Sequence, residues 1–215
     1  GVILRIPVII YENNLSIGKA NRYLAPFVKK IFISYKDTQG INTKYKDKTI
    51  VVGNILREVI LNKSKIHKNE NNNNLNILVL GGSQAAKIFA EILPDIFIEC
   101  KKNKINFKVY QQCLNEQKLE LQKKYENNDI QYELFSFTFD ILKYYNSSNL
   151  VITRAGSSAL AELLNCKIPI IAIPLNSSSE NHQFKNAKYF VDKGYGMMVE
   201  EKNINNELFD LLESI

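Results

Sequence analysis

The sequence predicts an α/β protein built on parallel sheets with helices on both faces, and three observations predict it. From Leu75 to Leu212, strand-like and helix-like segments alternate, the order of repeated βαβ units. The strand-like segments are short, continuous apolar runs, as in a sheet covered on both sides. Several of them end in glycine- or serine-bearing turns that open helices, and in such folds ligands sit at the carboxyl ends of the strands.

The elements follow in order. "RIPVIIYE" (Arg5–Glu12) reads as a strand bounded by Pro7. Tyr23, Leu24, Phe27 and Val28 stand at helical spacing in "GKANRYLAPFVKK", with Pro26 interrupting. "IFISY" and "TIVVGN" are two further strands. "NKSKIHKNENNNN" (Asn62–Asn74) is polar and Asn-rich, the composition of a surface stretch or linker. The regular part comes next. Strands are expected at "LNILVLGG", "NFKVYQQ", "IQYELF", "NLVITRAG", "IPIIAIPL" and "GMMVE". The helices following them are expected at Ala86–Glu99, Asn115–Tyr125, Asp140–Tyr145, Ser158–Leu164, Asn181–Lys193 and Asn205–Leu212.

Composition narrows the class. The chain has 215 residues, 45% apolar and 23% charged, which fits one large or two small globular domains. The formal charge of +6 permits an anionic partner. The lysine pairs are scattered, and neither an aromatic stacking motif nor a recognition helix accompanies them, so a nucleic-acid partner is not expected. Cys100, Cys113 and Cys166 are odd in number and lack C-x-x-C spacing, and only two His are present. A disulfide framework and a metal site are therefore not expected. The longest apolar runs, such as "IPIIAIPL", fall short of the about 20 residues a membrane helix needs. The chain starts at Gly1 rather than Met and enters strand-like sequence almost at once, so it is expected to lack its beginning.

Three loops carry candidate chemistry. In "LVLGGSQAAK", Gly81 and Gly82 let the backbone approach a ligand, and Ser83 stands at a helix N-terminus, which favours an anion. Neither G-x-G-x-x-G nor G-x-x-x-x-G-K-[ST] is present, which weakens a nicotinamide or ATPase reading. In "TRAGSSALAEL", Gly156 precedes Ser157, Ser158, Ala159 and Leu160, whose N–H groups include free donors of a helix start. Glu162, four residues after Ser158, lies on the same helix face, and a carboxylate there can accept both hydrogen bonds of a ribose diol. In "PLNSSSENHQFKNA", Asn181, His182, Gln183 and Asn186 are neutral groups suited to sugar hydroxyls. Ser179 or Asn181 as a plain helix cap is the other reading. Together the loops suggest a nucleotide diphosphate carrying a sugar. No D-x-D occurs, so helix dipoles rather than a bridging metal would face the diphosphate.

In that order, "GGSQ", "TRAG-S-x-x-x-x-E" and "P-L…E-N-H-Q…N-A" resemble the carboxyl half of the MurG-type peptidoglycan N-acetylglucosaminyltransferases. Upstream, "IPVIIYENN…G…NR" is similar to the family's "HEQN" stretch, with Tyr11 and Asn13 as departures. "VVGNILRE" is similar to its "GNPVR", with Ile55 replacing Pro. The resemblance implies a GT-B fold of two Rossmann-like domains. Residues 1–57 would end an amino-terminal acceptor domain, 58–74 would link, and 75–215 would bind UDP-N-acetylglucosamine. It places Asn14 and Arg57 near the donor, Ser83 on the diphosphate, Ser136 at the uracil, Ser157 to Leu160 around phosphate and sugar, Glu162 on the ribose, and Gln183 with His182 on the N-acetylglucosamine.

The family reaction is an inverting transfer of N-acetylglucosamine to lipid I, giving lipid II, with no cofactor. It implies a peripheral position on the cytoplasmic face of the plasma membrane and cell-wall synthesis and division proteins as candidate partners. The family's glycine-rich amino-terminal loop, with its general-base His, has no counterpart here, so no catalytic residue is named. The chain alone is expected to be inactive. A donor-binding remnant or half of a split enzyme, a related GT-B transferase with another acceptor, and an epimerase of the same fold stay open. Ala85, where the family has Gly, is harmless only if helical.

Overall fold

The computed structural model describes residues 1, 4–62, 74–175 and 181–215, with the side chains of 62 and 82–86 left out. Two parallel sheets organise the described residues. The first has three strands in the order β1-β2-β3: β1 (Ile9–Glu12), β2 (Lys30–Ile33) and β3 (Thr49–Val51). Ile10 lies beside Ile31, and Ile33 beside Val51. One face buries Ile10, Ile31 and Ile33 against Ala25 and Val28, while Ile9, Ile50 and Val51 stay exposed. Pro26 has the effect expected of it: helix α1 (Lys19–Leu24) gives way to a 3-10 turn at Ala25–Phe27 with the proline in its first turn.

The stretch expected as a linker lies, over 63–73, outside the described residues. Its first residues instead form α2 (Glu58–Asn62), where Ile60 is fully buried in the core of the larger unit. An apolar residue at that position packs rather than tethers.

The second sheet has six strands: β4 (Leu75–Leu80), β5 (Phe107–Gln112), β6 (Gln131–Phe135), β7 (Leu150–Thr153), β8 (Ile170–Ala172) and β9 (Gly196–Met198). Their order is β6-β5-β4-β7-β8-β9. The chain thus builds outward from β4 in one direction, returns to β7, and builds outward in the other. This is the doubly wound, Rossmann-like order, with its switch point between β4 and β7.

Strand alternation sends side chains to two separate cores. Ile77 and Val79 of β4, with Val109 and Ile152, meet α3 (Gly82–Lys102), α4 (Lys118–Glu126) and α8 (Ile204–Glu213). Leu78, with Val151, Ile170 and Ala172, meets α5 (Ile141–Ser147), α6 (Ser157–Asn165) and α7 (His182–Asp192). Helix α3 buries Phe89, Leu93, Ile96, Phe97 and Cys100, an apolar stripe at helical spacing. It begins earlier than its apolar spacing predicts, at Gly82, and continues through Pro94. Ala85 therefore sits in helical backbone. No helix among the described residues is long and apolar enough to cross a membrane.

Candidate functional site

A cleft of about 350 Å³ opens at the carboxyl edge of the six-stranded sheet, over its switch point. Leu80 and Gly81 at the end of β4, Thr153 and Arg154 at the end of β7, and Gln112 at the end of β5 form its floor. Phe135, Phe137, Thr138 and Ile141 form one wall; Arg57, Gly156, Ala159 and Gln183 complete it. The first turns of α3 and α6 thus begin at the cleft. Helix geometry leaves the N–H groups of Ser157, Ser158 and Ala159 without intrahelical acceptors, whereas Leu160 N already donates to Gly156 O at 3.0 Å. Such an end carries partial positive charge and attracts an anion.

Glu162 stands one turn into α6 and meets Arg57 in a two-pronged pair. Arg57 Nε donates to Oε1 at 2.8 Å and Nη2 to Oε2 at 2.7 Å. Tyr145 of α5, itself buried, donates its hydroxyl to the same Oε2 at 3.2 Å. The hydrogen bonds to Glu162 raise the Arg57 pKa above its ordinary value. Burial, followed by the nearby Glu162 charge, raises that of the Tyr145 phenol.

The loop after β1 docks on the same helix start. Glu12, 3% exposed, accepts from Asn14 N at 3.0 Å, Asn14 Nδ2 at 2.9 Å, Gly18 N at 2.8 Å and Asn21 Nδ2 at 2.9 Å. Burial pushes its pKa up, but the hydrogen bonds from Gly18, Asn21 and Asn14 outweigh burial, and the carboxyl lies below its ordinary value. So braced, the loop reaches α6. Asn13 Nδ2 donates to Ser158 Oγ at 3.1 Å, Ser157 Oγ donates to the Asn13 carbonyl, and Tyr35 pairs with Ser157 Oγ at 3.3 Å. Asn186 of α7, 1% exposed, ties the loop down. Its Nδ2 donates to Asn14 Oδ1 and Ala155 O, both at 3.1 Å, and its Oδ1 accepts from Leu15 N at 3.2 Å.

Most of the residues singled out in the sequence converge here, in different ways. Arg57, Gly81, Gly156, Ala159 and Gln183 line the cleft. Gln183 Oε1 also accepts from Leu175 N at 3.0 Å. Gly82 opens α3, and the side chain of Ser83 lies outside what the structure describes. Ser157 is buried, with its hydroxyl committed to the β1 loop, and Ser158 is exposed beside it. Leu160 is fully buried, so its side chain belongs to the core rather than the cleft. Ser136 sits between Phe135 and Phe137, and it is these two and Thr138 that line the wall. His182 opens α7 with its Nδ1 buried and without a hydrogen-bond partner. Asn181 precedes it in left-handed backbone at φ 60°, with no side-chain cap bond, and 176–180, including Ser179, lie outside the described residues. Among the described residues no group of three His, Cys, Asp or Glu side chains is placed to hold a metal ion.

Sequence reasoning missed Arg154 and Tyr145, and it read Asn186 as a group for sugar hydroxyls, whereas that side chain is buried and spent on the β1 loop and Ala155 O. Arg154 is 6% exposed, donates Nη1 to Ile173 O at 3.2 Å, ion-pairs with Glu201 and lies 4.8 Å from the Phe89 ring centre. It stood in plain view in "TRAG", but nothing local distinguishes a cleft arginine from a surface one. Tyr145 lay within a helical pattern, where tyrosine is also common for packing, and the partners that bury Asn186 are too remote in sequence for its spacing to reveal them.

Comparisons with known proteins bear on the family and the fold. A UDP-N-acetylglucosamine--N-acetylmuramyl-(pentapeptide) pyrophosphoryl-undecaprenol N-acetylglucosamine transferase of Rickettsia bellii is 35% identical, over 99% of this chain and 62% of its own length. The protein of that name from Pelagibacter ubique is 34% identical, over 99% of this chain and 60% of its own. The chain therefore spans about three fifths of the curated relatives it matches. Among solved structures, Acinetobacter baumannii MurG matches with a TM-score of 0.77 at 25% identity, over 99% of this chain and 59% of that one. A UDP co-structure of S. aureus MnaA matches at 0.61 and 13% identity, over 98% of this chain and 60% of that one, a likeness of fold alone. The α/β, Rossmann-like fold expected from the sequence is thus that of MurG and the GT-B glycosyltransferases. Residues 76–215 match the glycosyltransferase family 28 C-terminal domain, and the chain belongs to that family.

Proposed function

We propose that this chain is the donor-binding part of a peptidoglycan N-acetylglucosaminyltransferase. Residues 75–215 hold UDP-N-acetylglucosamine, 58–74 connect while packing Ile60 into the core of the larger unit, and 1–57 belong to the acceptor-side domain. The longer polypeptide works at the cytoplasmic face of the plasma membrane, where lipid I is the acceptor. The carrying observation is the convergence at the switch point of two helix N-termini with a carboxylate one turn into α6. It supports a diphosphate between the helix starts and a ribose on Glu162. The relatives' printed names support the sugar and the acceptor.

In the reaction, the acceptor's 4-hydroxyl oxygen bonds to C1 of N-acetylglucosamine as the bond from C1 to the diphosphate breaks. The bonding electrons leave on UDP, and the hydroxyl proton passes to a base outside the residues assigned here. The starts of α3 and α6 stabilise the negative charge that grows on the diphosphate. Ala159 and the glycine turns allow close backbone approach, Phe137 and Thr138 flank the uracil together with Ser136, and Gln183 with His182 reads the sugar. Asn14 is held by Glu12 and Asn186.

Titration calorimetry of the chain with UDP and UDP-N-acetylglucosamine tests this reading. Saturable binding is expected, weakened about tenfold or more by Glu162→Ala, since hydrogen bonds to a charged group contribute about 1.5–3 kcal/mol each. Absence of binding at millimolar ligand, or unchanged affinity in Glu162→Ala, refutes it. The chain alone is expected to show no transfer to lipid I.

A further inference from the structure

We propose that Arg57 and the ribose diol of the donor exchange on Glu162, so that diol binding hands the guanidinium to the diphosphate. This rests on the assignment of Glu162 to the ribose. Arg57 engages both oxygens of that carboxylate, at 2.8 and 2.7 Å. A ribose diol needs the same two oxygens, because each hydroxyl donates to one of them. Tyr145 approaches Oε2 from the buried side, so the open side of the carboxylate is the one Arg57 covers. Guanidinium and diol therefore compete.

The exchange is balanced for a nucleotide and unbalanced for a nucleoside. UDP brings two hydroxyl donors for Glu162 and an anionic diphosphate for Arg57, so hydrogen bonds and charge are both replaced. Uridine brings the hydroxyls and leaves the guanidinium without an anion. Arg57 is free to make the move. Its side chain is 49% exposed, while that of Glu162 is 12% exposed. It lies on the segment joining the two sheets, and it lines the same cleft as Gly81 and Gly156, where α3 and α6 begin. Tyr145 keeps Glu162 in place for either partner. The pair thereby makes the site respond to ribose and diphosphate together rather than to each alone.

Opposite signs identify the exchange. In Arg57→Gln, uridine is expected to bind several-fold tighter, because its competitor is gone, and UDP about tenfold weaker, because a cation is lost. Arg57→Lys keeps the charge without the two-pronged geometry, so uridine should again bind tighter while UDP stays within about threefold of wild type. Both are read by NMR titration of the 215-residue chain, with its amide spectrum reporting the fold. Uridine affinity unchanged or reduced in both variants, while Glu162→Gln abolishes uridine binding, overturns the exchange and leaves the ribose assignment standing. Uridine affinity unchanged in Glu162→Gln, or no saturable binding of either compound to wild type, overturns that assignment and the exchange with it.

Discussion

Asn186→Ala removes one side chain that joins three pieces of chain remote from each other in sequence. Asn186 is 1% exposed and makes three hydrogen bonds, to Asn14 Oδ1, Ala155 O and Leu15 N. Leu15 and Ala155 are themselves buried. The substitution leaves the Leu15 N–H and the Ala155 carbonyl without these partners, at about 1–3 kcal/mol for each buried group left unsatisfied. A loss of about 2–4 kcal/mol is expected. For a chain of 215 residues, at about 2–4 °C per kcal/mol, the melting midpoint falls by about 5–15 °C. Asn186→Asp is the sharper variant. It keeps the acceptor for Leu15 N but turns an oxygen toward the Asn14 and Ala155 oxygens, so it should destabilise at least as much. Urea and thermal melts followed by far-UV circular dichroism measure both. A loss below about 0.5 kcal/mol in Asn186→Ala, or a near-neutral Asn186→Asp, refutes the reasoning.

Glu12 carries a pH signature. Its carboxyl lies below its ordinary value in the folded protein, so its contribution is present above the unfolded value of about 4.3 and is lost as pH falls through the folded one. The stability gap between wild type and Glu12→Gln should therefore be widest at neutral pH and close under acid. A gap that widens below pH about 4 contradicts the hydrogen-bond account. Gly196→Ala places a Cβ 2.5 Å from Ile170 O in the β8–β9 ladder and should cost about 2 kcal/mol or more. Gly53→Ala meets nothing within 4 Å but has φ +80°, so it should cost only about 1–2 kcal/mol, from the backbone alone. Thermal melts that rank the two in the reverse order would contradict this reading of the two glycines.

Periodicity and turn chemistry act over a few residues, and what they control was legible. Apolar runs such as "LNILVL" and "IPIIAIPL" are sheet strands, at least over Leu75–Leu80 and Ile170–Ala172, and Pro26 breaks its helix where a missing N–H must break one. Gly81 and Gly156 stand at strand-to-helix turns, as their lack of a Cβ suggests. Boundaries were less legible: α3 starts at Gly82, a poor helix former, because packing of Phe89, Leu93 and Phe97 carries the helix. Ile60 looked like part of a tether and is core, because the surface that buries it comes from the distant α6.

By itself, then, the sequence determined the α/β class and the alternation of short apolar strands with helices, since each depends on neighbours within about one helical turn or one strand. The tertiary structure alone decided which residues share the cleft. Arg57 meets Glu162 across 105 positions, Asn13 meets Ser158 across 145, and Leu15 meets Asn186 across 171. Those pairings come from the strand order and the docking of the β1 loop on α6, and no local pattern encodes a partner that far along the chain.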